Sequence, residues 1–154
     1  MLKFNFVKSV CDQQLKFAVI IARYKGKWVL CKHRERDTLE FPGGHREENE
    51  TIEDTARREL YEESGAIKYI LHEVGAYSIV GFDGVVNNKK ENFGMLFTAE
   101  IKEFDRIPEG FEIERIEFYD DLTKIDWTYP EIQRKLLDIY RLQNARKGES
   151  QWLM

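Results

Sequence analysis

The segment from Gly44 to Ala66 reads GHREENETIEDTARRELYEESGA, and the interpretation of the whole chain starts from it. The Pro42-Gly43-Gly44 stretch before it favours a loop, because glycine permits tight turns and close backbone contacts. Thr51 suits a helix N-cap, with Asp54 at the third position in a variant of the capping box. Gly65 is placed to end that helix as its C′ residue. The segment therefore predicts a loop followed by one helix.

Three glutamates share one flank of the predicted helix. At 3.6 residues per turn, Glu63 lies about 40° from Glu59, and Glu62 lies about 60° to its other side. Like charges at this spacing repel, and the helix dipole disfavours anions near its carboxyl end. A divalent cation would offset both costs, and oxygen ligands favour Mg²⁺ or Mn²⁺ over zinc. Taken alone, however, such a charge run more often marks a solvated helix face, with Arg58 and Glu62 as a simple i,i+4 pair.

The spacing of the fixed letters favours the metal site over the solvated face. The chain resembles the Nudix hydrolases, whose signature is G-x5-E-x7-R-E-U-x-E-E-x-G-U, with U a bulky aliphatic residue. The matching residues, in order, are Gly44, Glu50, Arg58, Glu59, Leu60, Glu62, Glu63 and Gly65. The Phe41-Pro42-Gly43-Gly44 lead-in is similar to the family as well, whereas Ala66 is small where the pattern has a bulky residue.

The resemblance implies a role for each matched position. Glu59, Glu62 and Glu63 would bind Mg²⁺ or Mn²⁺, joined by the carbonyl of Gly43. Arg58 would act at the catalytic site, and the supporting positions are Gly44, Glu50 and Gly65.

A later acidic residue often completes such a site as a ligand or base, and Glu112 is the candidate. The rivals for this position are Glu100, Glu114 and Glu117. The general base remains open between Glu59 and Glu112.

The rest of the chain predicts strands and a final helix. Two runs rich in β-branched and aromatic residues, Leu15–Tyr24 and Lys27–His33, flank a Lys-Gly turn and predict a hairpin. Further strands are expected at Tyr69–Val80, Phe93–Ile101 and Ile113–Tyr119. Pro130 starts a final helix whose inward face is Ile132, Leu136, Ile139 and Tyr140. The expected fold is α+β: a Nudix-type α/β/α sandwich with a mixed sheet, a central catalytic helix and a carboxy-terminal helix, in one domain over 1–154.

Composition limits the partners. The net charge of −4 argues against a domain built to hold long nucleic acid, which is usually basic. Cys11 and Cys31 form no CxxC pair, so they are expected to be reduced thiols in the core of a cytoplasmic protein. No leader peptide or membrane segment is expected. Family members are often homodimers, so a homodimer is an expectation carried by the resemblance.

The implied reaction is attack of water on a diphosphate linkage of a nucleoside diphosphate joined to another group. A MutT-like nucleoside triphosphate pyrophosphohydrolase, acting on normal or oxidised guanine nucleotides, is the first reading. Candidate phosphate-binding residues precede the loop: Lys32, His33, Arg34 and Arg36. The aromatics considered for base stacking are Phe82, Phe93, Phe97 and Trp127, each of which is more often a core residue.

Other substrates remain open at this stage. Some relatives read oxidised guanine with an asparagine near the start of the last helix, where an approximate alignment places Thr128, between Trp127 and Tyr129. The ADP-ribose branch typically has a proline after the signature, and none occurs here between Pro42 and Pro108. The alternatives are diadenosine polyphosphates, the 5′ ends of RNA, and a non-catalytic domain that senses a nucleotide.

Overall fold

A computed structural model of the chain describes residues 3–81 and 90–153. The described residues form one eight-stranded sheet, two α-helices and a 3-10 turn at Asp12–Gln14. The strands are β1 (Lys3–Val7), β2 (Leu15–Tyr24), β3 (Lys27–His33), β4 (Leu39–Glu40), β5 (Gly43–His45), β6 (Ala66–Val80), β7 (Asn92–Phe104) and β8 (Ile113–Tyr119). The helices are α1 (Ile52–Ser64) and α2 (Pro130–Leu153).

The sheet is mixed, with the order β1-β6-β7-β2-β3-β4. Strands β2 and β7 pair in parallel, whereas the other pairs are antiparallel. Strand β5 pairs with the first half of β2, and β8 pairs with β3. The predicted β2–β3 hairpin is confirmed, with Lys25 and Gly26 both at positive φ, as a tight hairpin turn requires.

Strand β2 is buried on both faces, and this defines the layers. Phe17 and Ile21 belong to a core cluster that contains Leu136 of α2, whereas Ile20 belongs to a second cluster that contains Leu60 of α1. Because successive side chains of a strand point to opposite faces, one helix covers each side of the sheet. The expected α/β/α sandwich with a mixed sheet is therefore confirmed.

The ends of α1 form as the sequence predicts. The Thr51 hydroxyl accepts from the Asp54 N–H at 3.1 Å, and the Asp54 carboxylate accepts from the Thr51 N–H at 3.0 Å. Gly65 has φ 78°, and its N–H donates to Tyr61 O at 2.8 Å. An added Cβ at Gly65 would lie 2.5 Å from the carbonyl oxygen of Asp105, so glycine is required there for two reasons.

Some sequence expectations were incomplete or wrong. Strand β1 was not predicted, because most of its residues are exposed and it is a strand only through pairing with β6. Gly43 and Gly44 were expected in a loop, yet they lie in β5 opposite Val19 and Ala18. Cys31 is a buried free thiol as expected, but Cys11 is exposed and does not belong to the core.

Within the described ranges, no helix combines the length and apolar character needed to cross a membrane.

Candidate active site

A cavity of about 600 Å³ lies where β2, β3 and β5 meet the first turn of α2 and the flank of α1. Its wall contains both acidic and aromatic side chains. The carboxylates in the wall are Glu40, Glu47, Glu59, Glu63 and Glu112. The aromatic residues in the wall are Phe17, Phe41, Tyr77 and Tyr129. Such a cavity can hold a ligand with one charged and one flat apolar part.

Arg58 connects the acidic side chains of α1 to the preceding loop. Its Nε and Nη2 donate to the two oxygens of Glu50 at 2.6 and 3.1 Å, a bidentate pair. Its Nη1 donates to Glu59 at 2.8 Å and to Glu62 at 3.1 Å, and Nη2 also reaches His45 O at 2.9 Å. These bonds lower the pKa of Glu50 to about 2, chiefly through the Arg58 hydrogen bond, and raise that of Arg58. One guanidinium therefore orients three carboxylates.

Glu63 lies deeper than the other two glutamates and faces the glycine loop. Its Oε1 accepts from the Gly43 N–H at 2.7 Å, and its side chain is 11% exposed. Burial raises the pKa of Glu63 well above its usual range, and the charges of Glu59 and Glu40 raise it further. A positive charge placed beside this carboxylate would be strongly favoured.

Glu59 occupies the space that Gly44 leaves open. An added Cβ at Gly44 would lie 2.5 Å from Cδ of Glu59. Burial is the largest cause that raises the pKa of Glu59 to about 7, although Arg58 opposes the shift. The two glycines permit close approach of protein groups: Gly44 to Glu59, and Gly43 to the carbonyl oxygen of Ala18, 2.5 Å from an added Cβ.

His33, the last residue of β3, contacts carboxylates from other parts of the chain at the cavity wall. Its Nε2 contacts Glu40 and lies 3.7 Å from Glu63, and its Nδ1 lies 3.4 Å from Glu112. The rivals of Glu112 lie elsewhere, outside the cavity wall: Glu114 pairs with Lys32 and Arg115, Glu117 with Arg115, and Glu100 with Lys102. Among the four candidate later glutamates, the structure brings only Glu112 to the cavity.

The four candidate phosphate-binding residues separate into two groups. His33 and Arg36 line the cavity, whereas Lys32 and Arg34 do not. Lys32 is paired with Glu114 at 3.3 Å across β3 and β8. Arg36 lies 3.4 Å from Glu40, with its guanidinium 5.8 Å from the ring centroid of Tyr129. Arg36 thus lies near both a carboxylate and an aromatic ring of the wall.

The carboxylates of α1 do not form a ready-made cage. Over the ranges that the structure describes, no three or more His, Cys, Asp or Glu side chains are arranged to hold a metal ion. Several carboxylate oxygens already accept hydrogen bonds within the protein. Arg58 donates to one oxygen each of Glu59 and Glu62, and the Gly43 N–H donates to one oxygen of Glu63. The donor set still fits Mg²⁺ or Mn²⁺, because all of its ligand atoms are oxygens. Burial also raises the pKa of Glu59 and Glu63, so a cation would stabilise their ionised forms.

Gln133 is a residue of the cavity wall that the sequence pattern did not indicate as functional. Gln133 is 4% exposed, and its Oε1 accepts from the Phe41 N–H at 3.2 Å. Its signal was a polar residue directly beside Ile132 on the inward face of the last helix.

The residues that the sequence did suggest for base reading lie elsewhere. Phe97 and Trp127 belong to the core, and Phe93 packs beside it. Phe82 lies outside the described residues. The hydroxyl of Thr128 is 2.6 Å from that of Thr38.

Comparison with known proteins identifies the family. The NUDIX domain family matches residues 12–138. Over 97 residues the chain is 34% identical to YtkD of Bacillus subtilis (strain 168), which is described as a candidate 8-oxo-dGTP diphosphatase. That match covers 63% of this chain and 57% of the relative, so it spans little more than half of that protein.

Solved structures share the fold. The B. subtilis pyrophosphohydrolase BsRppH, solved as a point mutant, has a TM-score of 0.74 at 23% identity, covering 92% of this chain and 90% of that one. A NUDIX hydrolase from Nitrosomonas europaea has a TM-score of 0.66 at 19% identity, covering 84% and 90%. With the family match extending over most of its length, the chain belongs to the NUDIX domain family.

Proposed function

We propose that this chain hydrolyses a nucleoside triphosphate to a monophosphate and pyrophosphate, with Mg²⁺ or Mn²⁺ as cofactor and a guanine-type base preferred. The observation that carries this proposal is the composition of the cavity wall, which combines the partly buried Glu59 and the buried Glu63 with four aromatic rings. The carboxylates suit a metal-bound diphosphate, and the aromatic rings suit a base.

The proposed metal ligands are the carboxylates of Glu59, Glu62, Glu63 and Glu112, with the carbonyl of Gly43. A divalent ion bound there would neutralise charge on the diphosphate oxygens and make a water more acidic. Arg58 holds Glu59 and Glu62 in orientation, and Glu50 anchors Arg58. Glu59 and Glu112 are the two candidates to take the proton from the attacking water.

One cationic side chain in the wall suits the remaining phosphate groups. Arg36 lines the cavity beside Glu40. A triphosphate bound through a metal at Glu59 and Glu63 would extend toward this side chain. Arg36 also lies near the Tyr129 ring, so its planar guanidinium can interact with both phosphate and aromatic groups.

Gln133 supports the preference for guanine. The Phe41 N–H requires an acceptor, so it orients the side-chain amide with its oxygen toward Phe41. Because Gln133 lines the cavity, its NH₂ is the proposed group for a ligand. A donor pairs with O6 of guanine, whereas adenine carries a donor at the equivalent position. Oxidation at C8 leaves O6 unchanged, so normal and oxidised guanine nucleotides both fit. The 34% identity to a candidate 8-oxo-dGTP diphosphatase supports the same substrate class.

A nucleotide panel tests the proposal. The protein is incubated with Mg²⁺ or Mn²⁺ and with dGTP, 8-oxo-dGTP, dATP, dCTP, diadenosine tetraphosphate and a 5′-triphosphorylated RNA, and the products are quantified. We expect guanine triphosphates to give the highest kcat/KM, with pyrophosphate and monophosphate as products. A preference for the dinucleotide or the RNA would replace the proposed substrate.

The same panel tests the sensing alternative. Tight binding of a nucleotide without turnover would establish a non-catalytic domain. Glu59→Gln and Glu62→Gln are expected to abolish most of the activity, whereas Glu53→Gln, which alters an exposed pair with Arg57 on the same helix, keeps it.

A further inference from the structure

Resting on the proposed function, we infer that His33 is a positioning residue that holds the Glu112 carboxylate at the active site, with Nδ1 as the nitrogen that acts. Glu112 precedes β8, whereas the signature glutamates lie on α1, so two distant parts of the chain must be held in register. The imidazole of His33 lies between them: Nδ1 is 3.4 Å from Glu112, and Nε2 is 3.7 Å from Glu63 and contacts Glu40.

The backbone fixes the starting point of Glu112 but not its side chain. The Arg34 N–H donates to Glu112 O at 2.9 Å, and His33 pairs with Ile113 across β3 and β8. The Glu112 side chain is nevertheless 85% exposed, and a free glutamate side chain loses considerable conformational entropy when it is held. The imidazole is only 14% exposed and contacts Glu40 with its other nitrogen, so it is the more constrained partner of this exposed carboxylate.

Two substitutions test the roles of the two ring nitrogens of His33 separately. The asparagine NH₂ in His33→Asn sits one bond from Cγ, as Nδ1 does, and keeps a donor toward Glu112. The glutamine NH₂ in His33→Gln lies farther out, near the position of Nε2, and keeps a donor toward Glu40 and Glu63. We expect His33→Gln to lower kcat about tenfold with little change in KM, as expected for the loss of one polar contact that orients a carboxylate, while His33→Asn stays within about threefold of wild type.

A double-mutant cycle shows whether His33 acts through Glu112. In a Glu112→Gln background, His33→Gln should cause no further loss of kcat, because the positioned carboxylate is already gone. His72→Asn and His72→Gln provide the matched control on an exposed histidine of β6, and both should leave kcat unchanged. Nitrogen NMR supplies a readout independent of turnover: in Glu112→Gln, the Nδ1 signal of His33 should shift while that of His72 stays in place.

Several results would overturn the inference. The first is a double mutant in which the losses of kcat from His33→Gln and Glu112→Gln add. The second is a lower kcat in His33→Asn than in His33→Gln. The third is an Nδ1 signal of His33 that does not shift in Glu112→Gln. The NMR measurement needs only the Glu112→Gln variant, which should fold because Glu112 is exposed. It therefore remains informative even if a His33 variant fails to fold. The proposed function fails separately: full turnover in Glu59→Gln and Glu62→Gln would refute it, whereas loss of turnover in both with additive His33 effects would refute only the role of His33.

Discussion

The Glu63 carboxylate accepts a hydrogen bond from the backbone N–H of Gly43 at 2.7 Å, across 20 residues of sequence. This bond joins the last turn of α1 to the glycine-containing strand β5. It places a proposed metal ligand directly beside the backbone group whose carbonyl is proposed to share the metal. The bond also explains how a buried carboxylate with a raised pKa remains satisfied within the protein.

Two substitutions at Glu63 should therefore separate stability from metal binding. Glu63→Gln keeps an oxygen for the Gly43 N–H and removes a charge that burial disfavours, so the metal-free protein should keep or gain stability. Glu63→Ala leaves that N–H unpaired and should lower the free energy of unfolding by about 1–3 kcal/mol. Denaturant unfolding checks stability, and Mn²⁺ titration should show weakened binding in both variants. A Glu63→Gln variant that binds Mn²⁺ as tightly as wild type would exclude Glu63 from the ligand set.

Gly44→Ala should remove activity by displacing Glu59. The new methyl group would lie 2.5 Å from Cδ of Glu59, closer than real contacts allow. We expect kcat to fall at least about tenfold, since small misplacements in an active site carry such costs. Gly75→Ala is the control, because its methyl would collide with the Phe6 ring away from the site. That control should lower the melting temperature but spare kcat; equal loss of kcat in both variants would attribute the effect to the fold.

The stability of the metal-free protein should fall as the pH rises, because the pKa of Glu59 is raised in the folded state. Its pKa is about 7 in the folded protein against an ordinary value of 4.5, so the folded state holds the proton more tightly. The resulting stability is fully present below about pH 4.5 and is lost as the pH rises through about 7. Metal-free protein should thus melt at a lower temperature at pH 8 than at pH 5, and Glu59→Gln should reduce that difference. An unchanged difference in the variant would contradict this assignment.

Added Mn²⁺ should act in the opposite direction. Ions bind ionised carboxylates, so Mn²⁺ should raise the melting temperature more at pH 8 than at pH 5. Equal stabilisation at both pH values would indicate that the ion binds elsewhere.

Gln133→Glu should lower the preference for guanine over adenine. The glutamate keeps an oxygen for the Phe41 N–H but replaces the NH₂ that is proposed to contact the base by a second oxygen. We expect the ratio of kcat/KM for dGTP over dATP to fall about tenfold or more, as for the loss of one base-reading contact. Gln143→Glu, farther along α2, is the control and should leave the ratio unchanged. An unchanged ratio in Gln133→Glu would remove Gln133 from base recognition.

The local parts of the fold and site were predictable from the sequence. Thr51 and Asp54 cap each other across three positions, and Gly65 ends the helix by bonding to Tyr61 four positions back, so the bounds of α1 followed directly from local sequence. Likewise, the β-branched character of β2 reflects burial on both faces, which is a property of its own residues.

What the sequence could not supply depends on tertiary pairing. Strand β1 exists through its register with β6, and Gly43 enters a strand because it can approach the Ala18 backbone closely. The cavity wall brings together Phe17, Tyr77 and Gln133 from three elements that no local sequence pattern connects. Lys32 was suggested as a phosphate ligand by position alone, but the register of β3 against β8 pairs it with Glu114.

Direct Mn²⁺ binding measured by electron paramagnetic resonance tests the central claim, that the acidic flank of α1 is a divalent-metal site. Wild-type protein should deplete the free Mn²⁺ signal saturably, Mg²⁺ should compete, and Glu59→Gln and Glu62→Gln should weaken binding about tenfold or more, as loss of a charged ligand implies. An undiminished free Mn²⁺ signal with wild-type protein, or equal binding in all three proteins, would contradict the account.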